Sequence, residues 1–160
     1  MKFDNSKTII SFRIKLFGVT VLFLAYIVLS YVAKKIKLSF LGINDTGWTL
    51  IFAGLWLLFA FLPMILNRQY VSYSDEGENI IFRYFTAGLI GSKKNSVEID
   101  KRTFAGYKIE NRWFGLIVSI TLFQNFKEGV AKYPPIYISA LNKEERAKVF
   151  RSLDNLVPKA

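Results

Sequence analysis

The 160-residue chain contains no cysteine and no histidine. Those two absences remove disulfide frameworks, thiolate nucleophiles, most zinc sites, Ser-His-Asp triads and the commonest general base. Glycine-rich phosphate loops of the GxGxxG or GxxxxGK[ST] kind do not occur either. Acidic residues are few beside basic ones, 12 against 22, for a net charge of +10. That charge coexists with 52% hydrophobic residues and a mean hydropathy of +0.27. One globular body seldom combines the two, so apolar and charged residues must be segregated along the chain.

The segregation is plain to see. Residues 16–33 (LFGVTVLFLAYIVLSYVA) and 48–66 (WTLIFAGLWLLFAFLPMIL) carry no charge. As helices rising about 1.5 Å per residue, each is just long enough to cross a bilayer. Neither has the polar stripe of an amphipathic core helix, and a chain of this size has no shell large enough to bury both on every side. Lys2, Lys7, Arg13 and Lys15 before the first span resemble the basic region of a signal peptide. The run is longer than such a peptide's apolar core, lacks an Ala-x-Ala site and is followed at once by Lys34, Lys35 and Lys37, which favours a retained helix.

The expected organisation is a basic amino-terminal segment (1–15), a first transmembrane helix (16–33), a loop (34–47), a second transmembrane helix (48–66) and a polar domain (67–160). Basic residues near a membrane are retained on the cytoplasmic side. Lys2, Lys7, Arg13 and Lys15 together with Arg68 and Arg83 outnumber the loop lysines, so both termini are expected in the cytoplasm of a multi-pass inner-membrane protein. No Asp, Glu, Lys, Arg or His lies within either span, which argues against autonomous transport. Gly18 and Ala25, and Ala53 and Ala60, form small-residue pairs that would let the two helices approach closely.

The polar domain holds 15 of the basic and 10 of the acidic residues. Residues 69–74 and 79–86 read as a hairpin around Asp75-Glu76-Gly77-Glu78, with Ile80, Phe82 and Tyr84 on one face and Ile81, Arg83 and Phe85 on the other. Gly88 and Gly91 mark a break. Further strands are expected at 96–100, 104–110, 115–125 and 136–140, with Asn111-Arg112 as a reversal, 126–133 as a polar loop, and Pro134-Pro135 holding the last strand at a sheet edge. Asn142 and Glu145 form a capping box for a helix whose apolar face is Val149, Phe150, Leu153, Leu156 and Val157, ending near Asn155 or Leu156 before Pro158.

Six strands followed by an amphipathic helix give the order of a pleckstrin-homology-like (PH-like) domain. The segments NIIFRYF at 79–85, VEID at 97–100, GYKIE at 106–110 and AKYPPIYISAL leading into the helix resemble the small PH-like domains of bacterial membrane proteins, which commonly follow two transmembrane helices. The resemblance implies a helical hairpin joined to a mainly β, α+β domain: an antiparallel barrel of about six or seven strands capped by a carboxy-terminal helix. Eukaryotic domains of that fold often bind phosphoinositides through basic residues in the first hairpin. Here that loop carries Asp75, Glu76 and Glu78, so no such headgroup site is expected.

Other chemistries are thinly supplied. Lys93, Lys94, Lys101 and Arg102 are candidate contacts for anionic lipid. Phe82, Tyr84, Phe85, Phe104, Tyr107 and Phe123 alternate as core residues do, which argues against nucleic acid. Asp75, Glu76 and Glu78 fall short of a calcium loop, and no metal or cofactor is expected. No base stands recognisably beside any serine, threonine or tyrosine, so no catalytic residue is assigned; Glu98, Asp100 and Glu110 keep a membrane enzyme as an alternative. The expected function is a membrane-anchored binding or scaffolding module in a larger assembly, with a membrane protein or a second copy as partner. A peptide could add to the strand edge at Ile136, Tyr137, Ile138 and Ser139. An anionic-lipid-binding module is the alternative.

Overall fold

The computed structural model describes residues 1–36, 42–86 and 93–157; Lys37, Gly88, Gly91 and Pro158 lie outside them. The chain divides into two compact units, Ile10–Leu62 and a second made of Met1–Ile9 with Pro63–Ala160.

The Ile10–Leu62 unit is helical. Helix α1 spans Ser6–Ile27 and continues as a π-helical turn over Val28–Val32; α2 spans Asp45–Ile65. Both are long and apolar enough to cross a membrane. Only 6% and 11% of their most apolar stretches are buried, whereas a core helix of a soluble protein buries most of its surface. Helix α1 starts ten residues before the uncharged run: Ser6 N donates to Asp4 Oδ1 at 2.9 Å at its start, and Lys7, Arg13 and Lys15 lie at exposed positions that accept charge.

Polar pairs and stacked rings join the two helices. Trp56 Nε1 donates to Thr20 Oγ1 at 2.9 Å, while the Thr20 hydroxyl donates to Leu16 O at 2.8 Å. The Thr49 hydroxyl gives its hydrogen to Asp45 O, so the Tyr26 and Tyr31 hydroxyls, 3.1 and 2.8 Å away, donate to its lone pairs. Phe12 stacks on Phe59 and Phe23 on Trp56. Of the expected small-residue positions, Gly18 makes no close approach, since a Cβ there would meet nothing within 4 Å, whereas Ala60 is buried.

The described residues of the second unit form eight strands, β1 (Lys2–Asp4), β2 (Gln69–Ser74), β3 (Asn79–Thr86), β4 (Asn95–Asp100), β5 (Phe104–Arg112), β6 (Ile117–Phe126), β7 (Gly129–Lys132) and β8 (Ile136–Tyr137), and helix α3 (Lys143–Leu156). They form two antiparallel four-stranded sheets, β1-β2-β3-β4 and β5-β6-β7 with β8 on β6. Among the described residues the sheets do not close into the expected barrel. The helix-plus-sheet class stands.

Alternation builds the core as the pattern predicts. Val71 and Tyr73 of β2, Ile80, Phe82 and Tyr84 of β3, and Val97 and Ile99 of β4 point inward to meet Val118, Ile120 and Leu122 of β6. Val149 and Leu153 of α3 close the cluster, and Tyr107 stacks on Phe150. The capping box is present: Glu145 N donates to Asn142 Oδ1 and Asn142 N to Glu145 Oε2, both at 2.8 Å.

Three local expectations change. A strand, β7, occupies part of the expected polar loop, paired with β6 from Phe123↔Lys132 to Phe126↔Gly129. The reversal after β5 lies at 113–116 rather than Asn111-Arg112, since both of those residues still pair with β6. And the amino-terminal segment is not only a basic flank, because Lys2–Asp4 adds an edge strand to β2.

Candidate functional site

The amino terminus is tied to the sheet by Asn5. Its backbone N–H donates to Val71 O at 3.2 Å, its side-chain oxygen accepts from Val71 N at 2.9 Å, and its amide donates to Gln69 O at 3.0 Å. Asn5 is 0% exposed, so the clamp excludes water. Ile9, one turn into α1, packs with Tyr70 and Ala140. The chain therefore leaves this unit into α1 beside the place where it returns from α2 into β2.

The four candidate lipid-contact cations divide between opposite ends of the first sheet. Lys93 and Lys94 are exposed just before Asn95, which pairs with Tyr84, near the end where Gln69 pairs with Thr86. Lys101 and Arg102 lie at the other end, beyond Asp100, which pairs with Asn79. There they serve the hairpin loop. Lys101 Nζ donates to Asp75 O and Gly77 O at 2.5 and 2.8 Å, and Arg102 meets Glu78 Oε1 at 2.9 Å.

The candidate peptide edge is largely occupied. Ile136 and Ile138 are fully buried, β8 pairs with β6, and the Tyr137 N–H facing away from β6 donates to Gln69 Oε1 at 3.0 Å. Ser139 Oγ accepts from Val118 N at 3.0 Å, and Arg146 donates to Ser139 O and Leu141 O. Burial lowers the Arg146 pKa. A short strand held on both sides offers little ladder to an added peptide.

At the loop end, Asp75 Oδ1 accepts from the Met1 ammonium and Oδ2 from Ser152 Oγ. Since the serine hydrogen goes to the carboxylate, the Tyr73 hydroxyl, 2.6 Å away, donates to Ser152. A depression of about 370 Å³ beside them is lined by Lys148, Arg151, Ser152 and Asn155. Burial opposes ionisation of Asp75, but the hydrogen bonds from Met1 and Ser152 and the nearby cations outweigh it and hold its carboxyl below the usual range. A carboxylate so stabilised is a poor proton acceptor. Burial pushes the Tyr73 hydroxyl up to about 12, and the nearby Asp75 carboxylate adds to the rise. The chemistry available here is cross-bracing of α3 to the first hairpin. Among the described residues no group of three or more Asp or Glu is placed to hold a metal ion.

The sequence pattern concealed one surface feature. Asn111 to Leu116 are all exposed at the β5–β6 tip, Trp113 by 63% and Phe114 entirely. Trp113, Phe114 and Gly115 have φ of 51°, 53° and 85°. The left-handed conformation suits glycine or asparagine in a tight hairpin and costs a bulky residue roughly 1–2 kcal/mol. Gly115 directly after two aromatic residues was the available sign of a turn; the apolar texture of the stretch suggested strand instead.

Comparison with models of known families, with curated proteins and with solved structures finds no match.

Proposed function

We propose that the chain is a membrane-anchored binding module: α1 and α2 cross the inner membrane as a hairpin, and the sheet unit stands at the cytoplasmic surface as a PH-like scaffold for a membrane protein partner or a second copy. The observation that carries this reading is the pairing of β1 with β2, locked by Asn5. Since residues 2–5 and 69–74 share one sheet, the chain between them must leave one side of a membrane and come back to it. An even number of crossings satisfies this, and two apolar helices supply it. The excess of basic residues flanking the helices outside the loop favours the cytoplasm for that side. Strands in two antiparallel sheets followed by α3 are in keeping with a PH-like order.

Tethering is the mechanism. A domain confined to a membrane surface meets membrane-bound partners at a much higher effective concentration than a free one. Cross-linking in native membranes, followed by mass spectrometry, should recover a protein partner or a self-adduct; lipid adducts alone would count against the scaffold. The lipid-binding alternative has one observation in its favour, the exposure of Lys93 and Lys94 at the Gln69 end of the sheet. It predicts that replacing these two weakens vesicle binding, with strong salt dependence, more than replacing Lys101 and Arg102.

A further inference from the structure

We infer that the 113–116 tip is a membrane-seated wedge, with Trp113, Phe114 and Leu116 immersed in the headgroup region of the bilayer that anchors the chain. The inference rests on the membrane-anchored reading and adds a second, non-helical contact to it.

Three observations lead there. The first is the exposure of three large apolar side chains at one hairpin tip, held out by a left-handed backbone that bulky residues rarely adopt. Backbone strain of that kind is held in place by the surrounding structure and clusters at functional sites. Trp113 also has the amphipathic ring that suits a membrane interface, where its indole N–H meets water and headgroups.

The second is position. Gln69 opens β2 four residues after α2 ends at Ile65. Its side chain accepts from Tyr137, Tyr137 pairs with Ser119, and Ser119 is two residues from the start of β6 at Ile117, where the tip begins. Ile9 of α1 packs on Ala140, next to Ser139, whose hydroxyl accepts from Val118 N. The tip thus stands at the end of the sheet unit where the chain arrives from α2 and departs into α1. The exposed Phe126 is at the opposite end of β6, about 30 Å away for nine residue steps of strand.

The third is charge. Lys108 and Arg112 flank the tip with Glu110 between them, within 3.3 and 3.4 Å of its carboxylate, leaving one net positive charge. The exposed Lys93 and Lys94 stand at the corresponding end of the other sheet. Basic residues around an apolar point complement anionic headgroups, and the acidic hairpin loop is at the far end.

The absence of cysteine makes the test direct. Phe114→Cys, Phe126→Cys and Leu55→Cys, each in the full chain, receive a nitroxide label and are reconstituted into phosphatidylcholine vesicles containing phosphatidylglycerol. Collision with oxygen, which concentrates in the bilayer, is compared with collision with a water-soluble nickel chelate. The Phe114 label should favour oxygen, as the label at the exposed helix position Leu55 does, while the Phe126 label favours nickel. A Phe114 label that meets nickel as freely as the Phe126 label overturns the wedge. One shielded from both reagents also overturns it, in favour of a protein cover. If the Leu55 label itself favours nickel, the anchored reading fails and the wedge with it; if only the Phe114 label does, the wedge alone fails.

Discussion

Replacing Asn5 with alanine should loosen the amino-terminal strand more than any other single change in the first five residues. The substitution removes the acceptor of Val71 N–H and the donor to Gln69 C=O. Both backbone groups sit in a site closed to water, since Asn5 and Val71 are fully buried. Leaving one buried polar group unpaired costs about 1–3 kcal/mol. Two such groups, with some relaxation of the edge, give roughly 2–4 kcal/mol in all, which corresponds to a fall of at least about 8 °C in the unfolding midpoint of a domain this size. The assay is thermal melting of the detergent-solubilised chain followed by near-ultraviolet circular dichroism, together with amide hydrogen exchange at Val71, which should accelerate. Lys2→Ala, an exposed change on the same strand, serves as the control and should stay within about 0.5 kcal/mol. If Asn5→Ala melts with Lys2→Ala, the strand is not held by this clamp and the topological argument built on it loses its footing.

Thr49→Val removes the acceptor of both Tyr26 and Tyr31 and should weaken the pairing of α1 with α2 by about 0.6–1.7 kcal/mol, read as an earlier transition in a denaturing-detergent titration. Asp75 binds its proton less readily in the folded chain than in the unfolded one. Its stabilising effect is therefore complete above about pH 4 and lost as pH falls through the lower folded value; Asp75→Asn should flatten that acid limb in a pH series of melting midpoints. Tyr73 is shifted the other way, to about 12, so its contribution is complete below about pH 10 and drains away between there and about pH 12. Tyr73→Phe should make the alkaline limb shallower.

Much of this architecture could be read from periodicity. The uncharged runs marked both helices, and the alternation of 80, 82 and 84 against 81, 83 and 85 assigned the faces of β3 correctly because one side is core. The Asn142–Glu145 box placed the start of α3. What periodicity missed was held by tertiary pairing. Three residues, Lys-Phe-Asp, are too few for a strand signal, and β1 exists because β2 offers a free edge and Asn5 finds buried partners. β7 forms against β6 although its own sequence, Gly-Val-Ala-Lys, is weakly strand-like. The proposed edge at 136–139 was visible as apolar alternation, but that alternation turned out to mark burial, with the Gln69 side chain reaching across to take the outward amide. The four cations looked like one cluster because 93–94 and 101–102 are close in sequence; a strand lies between them and carries them to opposite ends.

The central claim is a two-span hairpin whose sheet unit faces the cytoplasm. Single cysteines at Lys35, between the helices, and at Glu128, on the β6–β7 turn, can be challenged with a membrane-impermeant maleimide in intact cells and again after permeabilisation. The account predicts that Lys35→Cys is labelled in intact cells and Glu128→Cys only after permeabilisation. Labelling of Glu128→Cys in intact cells, with Lys35→Cys protected, would contradict it.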